Sequence, residues 1–370
     1  MRILVTGGAG FIGSHLVDAL LEAGHAVRVL DNFDPQVHEG RRPDYLNPRA
    51  EYLEGDVRNR DKVGAALKEI EVVFHQAAAV GVGQSMYEIE KYVSANVLGT
   101  GTLLDVIVND RVRLKKLIVA SSMSIYGEGQ YACRACGPVA PPLRPVPQLQ
   151  ARDWEMRCPR CREHVEPQPT AEVKPLLPTS VYAISKRDQE ELCLCVGRSY
   201  GIPTVALRYF NVYGPRQALS NPYTGVCAIF SARIKNKRQP IVFEDGRQTR
   251  DFVHVRDIVR ANLFVMAEPR ADDGTFNVGT GRAVSIGEIG RLLAAQYGVP
   301  VEPELTQKYR AGDIRHCVAD ATALAALGFR PSMPLEEGLR DLVEWGRTAR
   351  ADDRVEQAAR ELETRGLTSG

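Results

Sequence analysis

Short apolar segments alternate with amphipathic stretches along the first half of the chain. Ile3 to Val5 is apolar throughout, a glycine-rich turn follows, and Ile12 to Ala23 carries apolar residues at helical spacing. A second apolar segment begins at Ala26, and similar segments follow later helical stretches, at 71–75, 116–120 and 204–207. Strands separated by helices are typical of a parallel sheet with both faces covered. The pattern therefore predicts an α/β fold with a doubly wound parallel sheet.

This alternation is interrupted once and changes character later. Between about residues 128 and 174 the chain is rich in Pro and Arg and contains two Cys-x-x-Cys pairs, without a sustained period. After about residue 212 the elements are mixed, and the last twenty residues are highly charged. We therefore expect a sheet domain (1–127 and 175–211), an inserted module (128–174), a mainly substrate-binding lobe (212–350) and a charged tail (351–370) for which the composition predicts a solvated helix with a frayed end.

Composition narrows the range of partners. The 370 residues are 44% hydrophobic and 25% charged, and the formal net charge is +1. Such a balance creates no overall field toward nucleic acid or an anionic membrane. No window approaches the roughly 18 consecutive apolar residues of a membrane span. The apolar N-terminal segment reaches Gly-Gly-Ala-Gly too early for a signal peptide. We therefore expect a cytoplasmic protein that does not bind membranes.

The glycine turn after the first strand indicates a dinucleotide site. Residues 7–13 satisfy the spacing Gly-x-Gly-x-x-Gly and open the first predicted helix. Glycines at this position allow the backbone to approach a pyrophosphate, which then lies at the helix N-terminus. Asp31 ends the second strand, 18 residues after Gly13. A carboxylate there accepts hydrogen bonds from ribose hydroxyls and repels a 2′-phosphate, so the pattern favours NAD over NADP.

A tyrosine and a lysine lie four residues apart on a predicted helix. Tyr182 and Lys186 therefore share one helix face. A free tyrosine, with a pKa near 10, is a poor base at neutral pH. We expect the lysine, together with a positively charged nicotinamide, to lower the pKa of the phenol. Ser122 follows a predicted strand, where its hydroxyl can hydrogen-bond a substrate hydroxyl and relay its proton.

The inserted module carries the pattern of a metal site. Cys133 and Cys136 form one pair and Cys158 and Cys161 the other, with 21 residues between the pairs. Two such pairs around a short loop are typical of a zinc ion held by four thiolates. Because four thiolates leave no open coordination position, the zinc is expected to be structural and to supply folding energy. An iron site or free thiols are the alternatives.

Many ordered motifs together resemble those of the extended short-chain dehydrogenases/reductases, in the nucleotide-sugar epimerase/dehydratase family. The likeness covers nearly all of the chain except about 128–174 and the tail. Its motifs are TGGAGFIG (6–13), VLDN (29–32), GDVRN (55–59), HQAAAVGVGQS (75–85), SSMSIYG (121–127), YAISK (182–186), RYFNVYGPRQ (208–217), RDFVHVRDI (250–258), FNVGTG (276–281) and RAGDIRHCVAD (310–320).

The resemblance implies a Rossmann-type NAD-binding domain and a role for individual residues. Ser122, Tyr182 and Lys186 are expected to be catalytic. NAD is expected to contact Gly7, Gly10, Phe11, Ile12, Gly13, Asp31, Asn32, Asp56, Val57, Gln76, Ala77, Ala78, Asn96, Tyr182 and Lys186. The nucleotide sugar is expected to contact Ser122, Ser124, Asn211, Arg250, Arg310 and Asp313, since guanidinium groups suit phosphate oxygens. A surface salt bridge is the alternative for the two arginines.

The resemblance also implies the reaction, which is epimerisation of a UDP- or dTDP-hexose at C4 through a 4-keto intermediate. Dehydratases of the family have an Asp-Glu pair where this chain has Met123 and Ser124, which cannot act as general acid and base. Uronate-specific epimerases and decarboxylases are expected to have an arginine where Gly83 stands. Within the family, a Cys-rich insertion favours dTDP-6-deoxyhexoses such as dTDP-L-rhamnose.

Two further expectations concern partners. Relatives commonly pair two helices from each subunit, so a homodimer that involves the helix of Tyr182 is implied. The inserted module is expected to brace or cover the sugar pocket or to extend the dimer surface, and the alternative is that it has neither role. A different class of protein, an NAD-binding scaffold whose basic module contacts nucleic acid, is disfavoured because Ser122, Tyr182 and Lys186 are all present and acidic residues interrupt the basic run.

Overall fold

A seven-stranded parallel sheet forms the centre of the protein. The computed structural model describes residues 1–38, 40–310 and 312–369. The strand order is β7-β6-β5-β4-β1-β2-β3, and every neighbouring pair is parallel. This is the doubly wound order, whose chain reversal lies between β1 and β4. The strands are β1 (Arg2–Thr6), β2 (Ala26–Asp31), β3 (Glu51–Glu54), β4 (Val72–His75), β5 (Lys116–Ser122), β6 (Thr204–Tyr209) and β7 (Thr275–Val278).

Helices cover both faces of this sheet, so the predicted fold class is confirmed. On one face, Phe11–Glu22 and Val255–Ala267 pack against side chains such as Val5 and Phe74. On the other face, the helices that follow β3 and β4 and the helix Val181–Tyr200 pack against Leu4 and Val119. The remaining sheet-domain helices are Pro35–His38, Arg60–Ala66, Val82–Ser85, Ile89–Tyr92, Val93–Leu98 (a π-helix), Gly99–Asn109 and Met123–Tyr126 (3-10).

The C-terminal lobe consists of helices and short strand pairs around its own core, which includes Phe230, Leu293 and Leu339. Its helices are Val226–Lys235, Pro269–Ala271 (3-10), Ile286–Tyr297, Thr322–Leu327, Leu335–Thr348 and Val355–Thr364. Its strands pair as Asn211–Tyr213 with Phe252–His254, Ile241–Val242 with Glu304–Leu305, Thr249–Arg250 with both Val284–Ser285 and His316–Cys317, and Tyr309–Arg310 with Thr368–Ser369. Among the described residues no helix is long and apolar enough to cross a membrane.

The inserted module has a small antiparallel sheet of its own. Gln130–Cys133 pairs with both Gly137–Val139 and Glu166–Gln168, and a short helix spans Val146–Gln150. Its core contains Tyr131 and Met156, packed around cysteines. The module is therefore separate from the central sheet, as its lack of period predicts.

The charged tail differs from the expected solvated helix. A helix does form, over Val355–Thr364, but Ala358 and Leu362 on its inner face are buried. Beyond the helix, Thr368–Ser369 pairs with Tyr309–Arg310 instead of fraying. The reason is the spacing of the apolar residues Val355, Ala358, Ala359 and Leu362, which gives the helix one apolar face that packs against the rest of the protein.

A buried group of ion pairs joins the inserted module to the C-terminal lobe. Arg315, whose side chain is fully buried, contacts Glu244 at 2.9 Å and Asp245 at 2.7 Å in the lobe and Glu155 at 2.5 Å in the module. Arg144 of the module pairs with the same Glu244 at 2.8 Å. Each charge is therefore compensated inside the protein, which buried charges require.

We predict that Arg315→Ala destabilises the protein by about 3 kcal/mol, because the substitution removes a fully buried guanidinium and its ion pair with Asp245, while Glu244 keeps Arg144. Urea unfolding measures this loss. Arg282→Ala is the matched control, since Arg282 and Glu336 form a half-exposed pair at 3.4 Å that should contribute no more than about 1 kcal/mol. Equal losses for the two variants would contradict the role given to Arg315.

Candidate active site

A large cavity opens at the carboxyl ends of the central strands. Its volume is about 710 Å³. In a parallel sheet this edge is where ligands bind, close to the reversal of strand order. Among the sequence-predicted NAD and sugar contacts, all but Asn96 line the cavity: Gly7, Gly10, Phe11, Ile12, Gly13, Asp31, Asn32, Asp56, Val57, Gln76, Ala77, Ala78, Ser122, Ser124, Tyr182, Lys186, Asn211, Arg250, Arg310 and Asp313.

The glycine turn packs tightly against the loop after β4 because its side chains are missing. Gly7 has a φ of +68°, and a Cβ built there would lie 2.8 Å from the backbone of Ala77. Gly10 precedes the helix Phe11–Glu22, whose first turn has neither a side-chain cap nor an acidic residue. The positive end of this helix therefore faces the cavity without an acidic residue in its first turn, which suits a pyrophosphate.

Two carboxylates lie at the far end of the glycine turn. Asp31 accepts hydrogen bonds from the backbone amides of Ala9 and Phe33, both at 2.9 Å, which fix its side chain beside the turn. The pKa of Asp56 is lowered to about 2, mainly by hydrogen bonds from Arg58. Asn32 also donates to Asp56, at 3.1 Å. This end of the cavity accommodates ribose hydroxyls and repels an additional phosphate.

The catalytic candidates meet where β5 and the helix Val181–Tyr200 approach each other. Ser122 is the last residue of β5, and Ser180 caps the helix by accepting a hydrogen bond from the Ala183 amide at 3.1 Å. Tyr182 is hydrogen-bonded to Ser122, and Ser122 Oγ accepts a hydrogen bond from Ser124 Oγ at 2.9 Å. The phenol and the hydroxyl therefore lie side by side at the cavity wall.

Burial dominates the electrostatics of this group. Burial raises the pKa of Tyr182, and the hydrogen bond with Ser122 only partly opposes that rise. The Lys186 ammonium instead donates to the carbonyl of Ala120 at 2.5 Å and to Gln189 Oε1 at 2.6 Å. Burial also lowers the pKa of Lys186 to about 8. Burial therefore decides the direction of the Tyr182 pKa shift, and the lowering expected from Lys186 together with a positively charged nicotinamide stays a prediction.

Asn96 was predicted to contact the cofactor, and the structure places it behind the cavity instead. Its side-chain amide donates to Ser185 Oγ at 2.8 Å and to the Ala79 carbonyl at 3.1 Å. Its oxygen accepts from the Ala79 amide at 2.7 Å. A fully buried amide needs such partners. Asn96 therefore fixes the loop after β4 against the helix of Tyr182, and it positions residues that line the cavity.

Two arginines whose guanidinium groups are held by other protein groups also line the cavity. Arg250 donates to the backbone carbonyls of Ile314 at 2.7 Å and Arg315 at 3.0 Å. Arg310 pairs with Asp313 at 2.8 Å and stacks on the Phe243 ring at 4.6 Å. Asn211 lines the same cavity, and its side-chain oxygen is buried without a hydrogen-bond partner among the described residues. The salt bridge considered as an alternative for Arg310 thus exists, but inside the cavity.

One wall of the cavity was not predicted from the sequence. Val355, Ala358, Ala359 and Leu362 of the C-terminal helix line it, together with Tyr223. The signal was present, since these four residues have the i, i+3, i+4, i+7 spacing of an apolar helix face. The high charge of the intervening positions hid this face.

The family follows from a comparison with known proteins. The family model described as the NAD dependent epimerase/dehydratase family matches residues 3–145 and 161–279. The chain belongs to this family. The resemblance seen in the motifs is therefore confirmed, and the unmatched residues 146–160 lie within the inserted module.

Three proteins similar to this chain match it over almost their whole length. A dTDP-L-rhamnose 4-epimerase of Burkholderia thailandensis is 36% identical over 352 residues, which cover 93% of this chain and 94% of that protein. The UDP-glucose 4-epimerase of Thermotoga maritima, solved with UDP-glucose, is 33% identical with a TM-score of 0.76 and covers 94% of this chain and 99% of its own. The UDP-glucose 4-epimerase of Thermus thermophilus, solved with NAD, has a TM-score of 0.75 at 31% identity and covers 95% of this chain and all of its own.

We predict a pH-dependent stability difference between the wild type and Lys186→Met. Between pH 8 and 10.5 Lys186 is largely neutral in the folded protein, whereas a lysine in the unfolded chain is still protonated. The unfolded chain then binds more protons, so this group makes the free energy of unfolding rise with pH in that window. Below pH 8 its contribution is constant.

Urea unfolding from about pH 7 to pH 10.5 measures this difference. The wild type should gain on the order of 3 kcal/mol relative to Lys186→Met across the window. Lys308→Met, at an exposed lysine, is the matched control. Parallel curves for the wild type and Lys186→Met would show that burial does not shift this lysine.

Proposed function

We propose that the protein is an NAD-dependent 4-epimerase of UDP- or dTDP-hexoses that acts through a 4-keto intermediate. The observation that carries the proposal is the arrangement along a single cavity. The glycine turn with its two carboxylates, the pair Tyr182 and Ser122, and the guanidinium groups of Arg250 and Arg310 all line it. A dinucleotide and a nucleotide diphosphate can thus meet at the tyrosine.

The residues present fit NAD. A Cβ at Gly7 would clash with the backbone of Ala77, so only glycine allows the turn to lie this close to the loop after β4 with a φ of +68°. Asp31 and Asp56 would hold the ribose of the adenosine half, and the N-terminus of the helix Phe11–Glu22 would hold the pyrophosphate. When bound, NAD supplies a hydride acceptor for C4 of the sugar and returns the hydride to the 4-keto sugar.

The side chains of this protein would manage the proton and the orientation of the sugar. Tyr182 takes the proton of the 4-hydroxyl, and Ser122, which is already hydrogen-bonded to it, orders that hydroxyl. Lys186 lies one helical turn after Tyr182 and brings a positive charge that favours the phenolate once oxidised NAD is present. Inversion follows when the 4-keto sugar presents its opposite face.

The neighbours of Ser122 argue against dehydration. Elimination of water from C5 and C6 needs a general acid and a general base, and Met123 is a buried apolar residue. Ser124 donates its hydroxyl proton to Ser122. Gly83 places no cation at the cavity wall to bind a uronate carboxylate. These residues favour a neutral hexose, and the relative from B. thailandensis favours a dTDP-6-deoxyhexose.

We also propose a structural zinc ion in the inserted module. The Sγ atoms of Cys133, Cys136, Cys158 and Cys161 all lie within 4.8 Å of one another. Tetrahedral zinc with Zn–S bonds of about 2.3 Å requires sulfur atoms about 3.8 Å apart, so the thiols fit the ion. Cys133 and Cys158 lie in the core of the module with Tyr131 and Met156, and Cys136 packs against it. The ion would therefore stabilise the part that carries Arg144 and Glu155.

A homodimer is supported by an exposed apolar surface on two neighbouring helical segments. Val93 and Leu98 before Gly99–Asn109, and Ile184 on the helix Val181–Tyr200, are 44%, 57% and 48% exposed. Large aliphatic side chains grouped in this way are typical of a surface that another protein covers. The proposed dimer would use the helix that carries Tyr182.

For the zinc site, we predict one zinc ion per chain in the purified protein, measured by elemental analysis. Cys136→Ser should lose the ion and lower the melting temperature, because the module lacks a large core of its own. Cys195→Ser, at an exposed cysteine outside the cluster, should keep both the ion and the melting temperature. Iron in the protein, or equal behaviour of the two variants, would contradict the proposal.

For the reaction, purified protein is incubated with UDP-, dTDP- and GDP-sugars and the products are identified by NMR of the anomeric protons. We predict that one UDP- or dTDP-hexose converts to an equilibrium mixture with its 4-epimer. Tyr182→Phe should lower the rate at least about 100-fold and still bind NAD, since only the proton transfer is lost.

Two results would contradict this function. A 4-keto-6-deoxy product would mean that dehydration occurs without the acid pair. No conversion of any sugar, with or without added NAD, would reject the epimerase on the substrates proposed.

A further inference from the structure

The C-terminal helix Val355–Thr364 covers part of the cavity, although it follows the last element of the lobe core. Four of its residues line the cavity, and Ala358 and Leu362 are only 6% exposed. The helix thus contributes apolar surface to a cavity whose other functional groups come from the sheet edge and the lobe.

Polar contacts on three elements hold this helix in place. Glu361 accepts hydrogen bonds from Tyr87 at 2.9 Å and from Tyr223 at 2.6 Å. Arg365 stacks on the Tyr87 ring at 4.1 Å. Just before the helix, the carboxylate of Asp353 is buried and pairs with Arg233 at 3.3 Å. These contacts fix both ends of the helix while its apolar face points at the cavity.

Leu362 lines the cavity close to Gly83 and Arg310. Its methyl groups are 3.5 and 3.6 Å from the position that a Cβ on Gly83 would occupy. The short helix that contains Gly83 is joined to the catalytic helix by a hydrogen bond from the Tyr182 amide to Ser85 Oγ, at 3.0 Å. Leu362 and Gly83 also line a narrow recess of about 50 Å³ with Arg310.

The residues that follow this helix pair with the strand that carries Arg310. Thr368–Ser369 forms an antiparallel pair with Tyr309–Arg310, the strand that presents the Arg310 guanidinium. A ligand that orders Arg310 therefore also orders the strand on which the C-terminal segment rests.

We propose that the helix Val355–Thr364 is a roof over the sugar and that Leu362 contacts the sugar and determines which substituents it accepts. The proposal rests on the proposed function, because it places a sugar between Tyr182 and Arg310. A leucine side chain favours C–H and methyl groups, whereas a carboxylate there would lose its hydration without compensation. The roof thus selects hexoses with an apolar edge, such as 6-deoxyhexoses, and excludes water from the 4-keto intermediate.

The selectivity is tested with Leu362→Ala, assayed on dTDP-L-rhamnose, UDP-glucose and UDP-glucuronate. We expect KM for the preferred neutral sugar to rise about tenfold, kcat to change less, and the preference for the 6-deoxy sugar to fall. Glu363→Gln, on the exposed side of the same helix, is the matched control and should leave KM unchanged. Unchanged KM values and preferences in folded Leu362→Ala would overturn the role of Leu362.

The proposal that the helix covers the 4-keto intermediate is tested with Glu361→Gln. This substitution weakens the contacts with Tyr87 and Tyr223 without removing apolar surface. We expect this variant to release the 4-keto sugar and to accumulate reduced nicotinamide, seen by its absorbance, at least several times faster than the wild type. A merely structural role would lower the melting temperature without this accumulation. If the folded variant releases the 4-keto sugar no faster than the wild type, the proposal that the helix is a roof is wrong.

Limited proteolysis separates a failure of this proposal from a failure of the proposed function. Trypsin cleaves after Arg354, an exposed residue at the start of the helix, and UDP or dTDP alone serves as the probe. If no sugar is converted but a nucleotide slows this cleavage several-fold, the proposed function fails and the roof remains. If sugars are converted and neither nucleotide nor sugar slows the cleavage, the roof fails alone.

Discussion

The central sheet is parallel and covered on both faces, and this constraint decides where everything else can lie. Backbone groups of the strands are paired within the sheet, and apolar side chains such as Val5, Phe74 and Val119 are fully buried between the layers. The cavity opens at the carboxyl edge, so groups that approach a ligand there come from strand ends and the loops that follow. The glycine turn, Ser122 and the loop after β4 all occur at such positions. The lobe and the C-terminal helix then enclose that edge from above.

The enclosure depends on charges buried away from the central sheet. Arg315 and Arg144 hold the carboxylates of Glu244 and Asp245, and Glu244 itself lines the cavity. Trp154 and Leu149 of the module also pack against Tyr309, the residue before Arg310. The module thus contacts the lobe directly beside its phosphate-facing side chains. A rigid attachment at this point keeps a flexible guanidinium in a defined place, which recognition of a diphosphate needs.

Elements with long apolar runs could be predicted from the sequence, and elements without them could not. The strands β1, β2, β4, β5 and β6 agree with the expected segments to within two residues at each end. Glu51–Glu54 and Thr275–Val278 were missed because both are edge strands, with one neighbour and few apolar residues. Most of the predicted site residues line the cavity because each follows a strand or a turn with a recognisable motif.

Three features lay beyond pattern reasoning for physical reasons. Asn96 has the residue type of a ligand contact, and only the packed structure shows that Ala79 and Ser185 take up its hydrogen bonds. The spacing of Tyr182 and Lys186 predicts that they share a helix face, but the pKa values depend on burial, which the spacing does not contain. Leu362 lies far from Tyr182 in sequence, so only the folded structure shows that both residues line the same cavity.

The inserted module begins and ends on the same segment of the lobe. The Gly129 amide donates a hydrogen bond to the His316 carbonyl at 2.9 Å, and the Thr170 amide donates one to the Val318 carbonyl at 2.8 Å. Glu128 accepts a hydrogen bond from the Arg315 amide at 2.6 Å. Since both ends are fixed to one strand, the residues between them can vary in length or sequence without moving Ser122 relative to Tyr182. The loop after β5 is therefore a place where evolution can exchange a whole module while the catalytic geometry is inherited unchanged.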